Sequence, residues 1–222
     1  MGLRDYITGL FQAMILCLLG GTVTAAPLQV KVVDRDDLPV SDVAVFLLAA
    51  HGFSTQAPPG TTAVMDQVNT KFVPNLLVVQ SGTSVEFPNT DTVAHHVYSF
   101  SHPNQFKLPL YKGNAHPPVT FEDDGIVILG CNVHDNMLGY IVVVDTPFFA
   151  KTDEQGVARF EVTAGQVNAV SIWSPRFKER SGTLTKPLDF VTDGDKTVTF
   201  KMEKKLRPAH DQQSEALLWS DY

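Results

Sequence analysis

The chain of 222 residues has little cysteine: only Cys17 and Cys131 are present, and Cys17 lies in an apolar N-terminal segment. That leaves one thiol in the remainder, which excludes a framework of internal disulfides. Basic residues are scarce too, with 17 Lys and Arg against 24 Asp and Glu and a formal net charge of −7. No Lys/Arg cluster is long enough to track a phosphate backbone, so nucleic acid is not expected as a partner. Beyond residue 26 no apolar run approaches the length of a membrane span. Sustained helical periodicity, internal repeats and low-complexity tracts are also missing, which argues against helical bundles, solenoids and coiled coils.

What is there begins with residues 1–26. Arg4 precedes an apolar stretch through Ile15, Leu16, Leu18 and Leu19, and small residues follow up to Ala25 and Ala26. This is the pattern of a secretory signal peptide cut near Ala26, and it implies export to the periplasm. Met14-Ile15-Leu16 lacks the small residues expected ahead of a lipidated cysteine, so the exported chain is expected to be soluble. A single thiol in an oxidising compartment calls for protection, and metal coordination would hold and shield it as thiolate.

The rest reads as β structure. Apolar runs of strand length alternate with Gly, Pro, Asp and Asn turns at Leu28 to Val33, Val43 to Leu48, Leu76 to Val79, Ser84 to Phe87, His95 to Phe100, Ile126 to Cys131 and Tyr140 to Val144. After Asp145-Thr146-Pro147 come Val157 to Val162, Val167 to Trp173 and Thr197 to Met202. Residues 62–145 form a central domain. Residues 27–61 and 146–203 form flanking β-sandwich segments, read as two parts of one discontinuous domain, and 204–222 is a tail.

Cys131-Asn132-Val133-His134-Asp135-Asn136-Met137 carries a thiolate, an imidazole and a thioether at three-residue steps, and His95-His96 supplies imidazole from another strand. Strand alternation puts His95 and His96 on opposite faces, so one of them can join the set. Each residue alone has an ordinary reading: His134 and Met137 as loop residues, Cys131 as a small core residue, His95 as a buried strand histidine. Together they are the donors of a mononuclear copper site, with a His2Cys plane and a weak axial Met. The soft thioether favours copper over zinc. His51, His102, His116 and His210 lie in polar or Gly/Pro-rich surroundings and read as solvated loop residues.

In motif order the central block resembles the cupredoxins, the small blue copper proteins, in their amicyanin/plastocyanin-like branch. The resemblance rests on Phe72-Val73-Pro74, Val85-Glu86-Phe87-Pro88-Asn89, His95-His96-Val97 and Cys131-x-x-His134-x-x-Met137. It implies an all-β fold, a Greek-key β-sandwich, and a single type 1 copper held by His95, Cys131, His134 and Met137. It also places His96 where many of these proteins carry an Asn that braces the ligand loop, and Val133 and Asp135 where prolines are common. Leu38-Pro39-Val40 and Thr152-Asp153-Glu154-Gln155-Gly156 resemble carboxypeptidase regulatory-like domains, which implies a second small β-sandwich.

The expected function is an exported electron carrier cycling Cu(I) and Cu(II) with a dehydrogenase or cytochrome, monomeric and without enzymatic activity. The alternative is a periplasmic copper-binding or copper-delivery protein. His134, ringed by Leu138, Pro109 and Leu110, would be the electron exit. Arg176, Lys178, Glu179 and Arg180 form a mostly basic loop on an acidic chain, and Phe148, Phe149 and Trp219 read as core or interface aromatics.

Overall fold

The computed structural model describes residues 25–50, 56–163, 165–178, 182–188 and 196–208. The signal-like segment up to residue 24 with Cys17, and His51, Glu179, Arg180 and residues 209–222 with His210 and Trp219, lie outside them. The described residues contain strands and turns and no helix, so the fold is all-β.

The chain opens with β1 (Ala25–Val33) and β2 (Ala44–Ala49), then enters a run of short strands: β3 (Thr62–Val64), β4 (Asp66–Val68), β5 (Lys71–Val73), β6 (Leu76–Gln80) and β7 (Thr83–Glu86). Next come β8 (His95–Ser99), β9 (Phe106–Tyr111), β10 (Val119–Phe121), β11 (Gly125–Gly130) and β12 (Leu138–Val144). The last group is β13 (Phe149–Lys151), β14 (Val157–Thr163), β15 (Val167–Trp173), β16 (Thr183–Pro187) and β17 (Lys196–Lys201).

Strands β3 to β12 build one sandwich. A five-stranded sheet in the order β6-β12-β11-β8-β9 faces a three-stranded sheet, β10-β7-β3, and β4 and β5 pair as a separate hairpin. Alternation turns Val127 and Leu129 of β11, Ile141 and Val143 of β12 and Val97 of β8 inward, against Val85 of β7 and Phe121 of β10. Burying these side chains stabilises the sandwich by roughly 1.5–3 kcal/mol apiece.

A second sandwich is built from both ends of the described chain. Its sheets are β14-β1-β17 and β13-β2-β15-β16, so β1 and β2 find their partners only beyond the central block. Leu28, Val30 and Val32 of β1 meet Val45 and Leu47 of β2 and Val170 and Ile172 of β15 in its core.

The two sandwiches share a third apolar cluster. Leu76, Val142 and Val144 on the outer face of β6 and β12 pack on Ala44 and Trp173 from β2 and β15. Tyr140 sets its ring 5.6 Å from that of Trp173. Strand β12 is thus covered on both faces, which accounts for the unbroken apolar run Ile141-Val142-Val143-Val144 where a half-exposed strand would alternate.

Thr152 ties the two halves of the second sandwich. Its hydroxyl donates to the Val40 carbonyl at 2.8 Å and accepts from the Val43 N–H at 3.0 Å, in a site where Thr152 is 5 % exposed. Thr152→Val keeps the shape and strands both main-chain groups, at a penalty of about 2–4 kcal/mol. Urea unfolding is expected to show a lower midpoint with an unchanged slope, and a midpoint equal to wild type would remove Thr152 from this role.

Candidate metal centre

The centre forms where the five-stranded sheet ends. Strands β11 and β12 pair in register down to Gly130 opposite Leu138, and residues 131–137 close the hairpin between them. Two aromatic rings fix its base. A Cβ added to Gly139 would meet the Phe72 side chain at 2.8 Å, and one added to Gly130 would meet the Tyr98 ring at 2.8 Å. Each glycine therefore lets a ring lie against the strand on one side of the loop. Within the loop, Met137 N–H donates to the His134 carbonyl at 3.0 Å and Leu138 N–H to the Asn136 carbonyl at 3.1 Å. The Asn75 amide donates to the Leu138 carbonyl at 2.8 Å and braces the end of the loop.

His95 opens β8, where the pairing with β9 slips between His95 and Val97. The extra length falls in β9 at Pro109 and Leu110, and proline has no N–H to lose from the ladder there. His95 and Val97 are both fully buried on the inward face, whereas His96 is half-buried on the other. Of the two candidates, His95 is the one directed at the thiol.

His95 Nδ1 lies 3.1 Å from His134 Nδ1 and 3.8 Å from Cys131 Sγ, and His134 Nδ1 lies 3.9 Å from the same sulfur. Cys131 and His95 are buried and His134 is half-buried. Among the described residues this is the one cluster of three or more His, Cys, Asp and Glu with ligand spacing. The centre of a triangle with these edges lies about 2.1 Å from every corner, within the range of metal–nitrogen and metal–sulfur bonds. The donors thus fit one metal ion. Met137, 1 % exposed, is buried in the same cluster as Cys131.

Asp91 belongs to none of the motifs legible in the sequence. Its Oδ2 sits 2.9 Å from His95 Nε2, with the imidazole fully buried and the carboxylate 6 % exposed. A carboxylate has no hydrogen to give, so Nε2–H is the donor and Nδ1 keeps its lone pair facing Cys131 and His134. Asp91 is in turn held by the turn between β4 and β5. Asn69 and Thr70 have φ of 49° and 57°, the left-handed pair of a tight hairpin. That turn aims the Thr70 N–H at Asp91 Oδ2 over 2.7 Å. The Thr70 N–H first, and the His95 side chain second, hold the Asp91 carboxyl well below the usual carboxylate range. Asn89 fixes the same loop, its amide donating to the Val93 and Tyr111 carbonyls at 3.0 and 2.8 Å and its Oδ1 accepting from Asp91 N–H at 3.0 Å. The available signal was spacing: an Asp four residues before a ligand histidine, in the polar stretch Asn89-Thr90-Asp91-Thr92 that reads as a plain turn.

Other sequence candidates fall elsewhere. His96, in the place of the family's bracing Asn, has a buried Nδ1 without a hydrogen-bond partner, and the loop is braced by Asn75. Asp135 is exposed, and the carboxylate that touches the centre is Asp91. His102 is exposed, while His116 sets Nε2 3.2 Å from the Pro109 carbonyl and packs edge-on against Tyr111. Near the loop in sequence or on β9, Val133 and Leu110 are about half exposed and Leu138 half-buried.

No family model matches this sequence, and no curated protein matches it either. Solved structures do match. A point mutant of amicyanin in its reduced state aligns at 23 % identity with a TM-score of 0.34, covering 45 % of this chain and 97 % of its own. A purple cupredoxin from Nitrosopumilus maritimus aligns at 22 % identity with a TM-score of 0.32, covering 37 % of this chain and 98 % of its own. A second amicyanin mutant, solved with Cu(I), aligns at 23 % identity with a TM-score of 0.35, covering 41 % of this chain and 90 % of its own.

Partners of metal-binding histidines set ring orientation and basicity, and losing one weakens binding about 10–100-fold. Asp91→Asn is therefore expected to lower the affinity for Cu(II) by that factor in a chelator competition. Equal affinities would assign Asp91 to folding alone.

Proposed function

We propose that the protein binds one type 1 copper through His95, Cys131, His134 and Met137 and serves as an exported electron carrier. The observation that carries this reading is the convergence of one cysteine sulfur and two imidazole nitrogens within 3.1–3.9 Å, with a buried thioether in the same loop. That donor set suits copper better than a hard cation or structural zinc.

Copper bound there would take up and release a single electron. The chain's own residues supply the rest. Cys131 and His95 sit in a packed sandwich core whose strands resist rearrangement, so the donors keep their places in both charge states. Asp91 holds the His95 ring through Nε2, and Asn75 with the Phe72–Gly139 contact holds the exit of the loop. His134 is the least buried of the three close donors and gives an electron its shortest way to a partner. The partner in this reading is a dehydrogenase or a cytochrome, the compartment is the periplasm, and the protein acts as a monomer without an enzymatic reaction of its own. A delivery protein would need donors that open, and the buried His95 and Cys131 favour the carrier.

The visible spectrum tests the reading directly. Adding one equivalent of Cu(II) to purified protein is expected to produce an intense thiolate-to-copper band that Cys131→Ser lacks, whereas a colourless, weakly held copper would overturn the carrier. Cell fractionation checks export, with the protein expected in the periplasmic fraction and shortened by about 2.5–3 kDa, the mass of a segment of signal-peptide length.

A further inference from the structure

A cleft of about 520 Å³ opens at one end of the second sandwich, lined by Asp34, Arg35 and Asp36 after β1, by Arg176 and Lys178 after β15, and by residues 204–208 after β17. Six of its side chains are cationic and two are carboxylates, on a chain whose net charge is −7. Both acids are already engaged within their own turn. Asp34 Oδ1 accepts the N–H groups of Asp36 and Leu38 at 2.9 Å, and Asp36 Oδ2 lies 3.3 Å from Arg35 Nε.

The basic loops are pinned. Phe177 is buried in the sandwich core between Arg176 and Lys178, and Leu206 packs on the same core between Lys205 and Arg207. The two loops also bond to each other: Arg207 N–H donates to the Arg176 carbonyl at 2.9 Å, and Arg176 Nε donates to the Arg207 carbonyl at 3.1 Å. Arg207 Nη1 reaches the Pro175 carbonyl at 3.2 Å. These carbonyls orient both guanidiniums without neutralising them. Because the core anchors hold the loops before any partner arrives, little ordering remains to be done on binding.

We infer that this cleft is a docking surface for an acidic polypeptide segment of a partner protein. Here the cations Lys178, Lys205 and Arg207 stand exposed around the opening, an arrangement that steers and orients a charged macromolecule. None of the cleft's residues belongs to the metal centre.

Fluorescein-labelled decaglutamate, titrated into the full chain and followed by anisotropy, tests it. Saturable binding is expected, weakening about tenfold between roughly 50 and 300 mM NaCl as exposed charges are screened. Lys178→Glu/Lys205→Glu spares the Arg176–Arg207 clamp and both apolar anchors, and is expected to weaken binding by about tenfold or more. Lys31→Glu/Lys107→Glu makes the same charge change at exposed positions elsewhere and should stay within about twofold of wild type. Circular dichroism confirms that both variants fold. Equal losses in the two variants would reduce the effect to net charge and overturn the site. Displacement of the peptide by an equimolar amount of tripolyphosphate would make it a small-anion site and overturn the polypeptide partner.

Discussion

A buried imidazole offers a metal nothing useful unless its ring is prevented from turning and its proton is kept on the far nitrogen. The hydrogen bond from His95 Nε2 to Asp91 imposes both conditions, and much of the central sandwich serves to maintain it. The left-handed Asn69-Thr70 turn exists in a geometry that presents Thr70 N–H to the carboxylate, and Asn89 bonds on both sides of it. A β-branched residue such as Thr70 at positive φ is strained, and strain of this kind persists where surrounding contacts over-determine it. The order of dependence runs from turn to carboxylate, from carboxylate to ring, and from ring to the lone pair facing Cys131.

The ligand loop is set by close packing at its two ends together with the Asn75 hydrogen bond. Phe72 and Tyr98 approach Gly139 and Gly130 so closely that any side chain there would have to displace a ring. The loop between those glycines therefore starts and ends at fixed heights. Strand β12 carries this rigidity into the second sandwich, because Val142 and Val144 pack on Trp173 and Ala44 while Ile141 and Val143 fill the core behind the centre.

Much of this was legible in the residues. Long strands such as β11, β14 and β15 are written as apolar runs or as alternation between turn residues, and Cys131, His134 and Met137 announce themselves by spacing and by the scarcity of other thiols. The three-residue strands β3, β4, β5, β10 and β13 were not, since so short a segment has no period to detect, and β9 and β16 each contain a proline that speaks against a strand. His95 could be preferred to His96 only through a family resemblance, and the structure supplies a physical basis in the alternation along β8, which turns His95 inward with the core residue Val97. Asp91 and Asn75 stayed hidden because their roles depend on contacts across the fold, with Thr70 and Leu138, and the four-residue spacing of Asp91 from His95 is too common in turns to single it out.

The pairing of β1 with β14 and β17 imposes an order on folding. β1 precedes both of its neighbours by more than a hundred residues. Until they arrive, Leu28, Val30 and Val32 have no permanent cover. The central block, whose pairings all fall within its own length, can complete itself first. By closing, it brings the end of β2 and the start of β13 together and shortens the effective distance that the outer strands must search. The central sandwich thus offers a template on which the outer strands can be assembled.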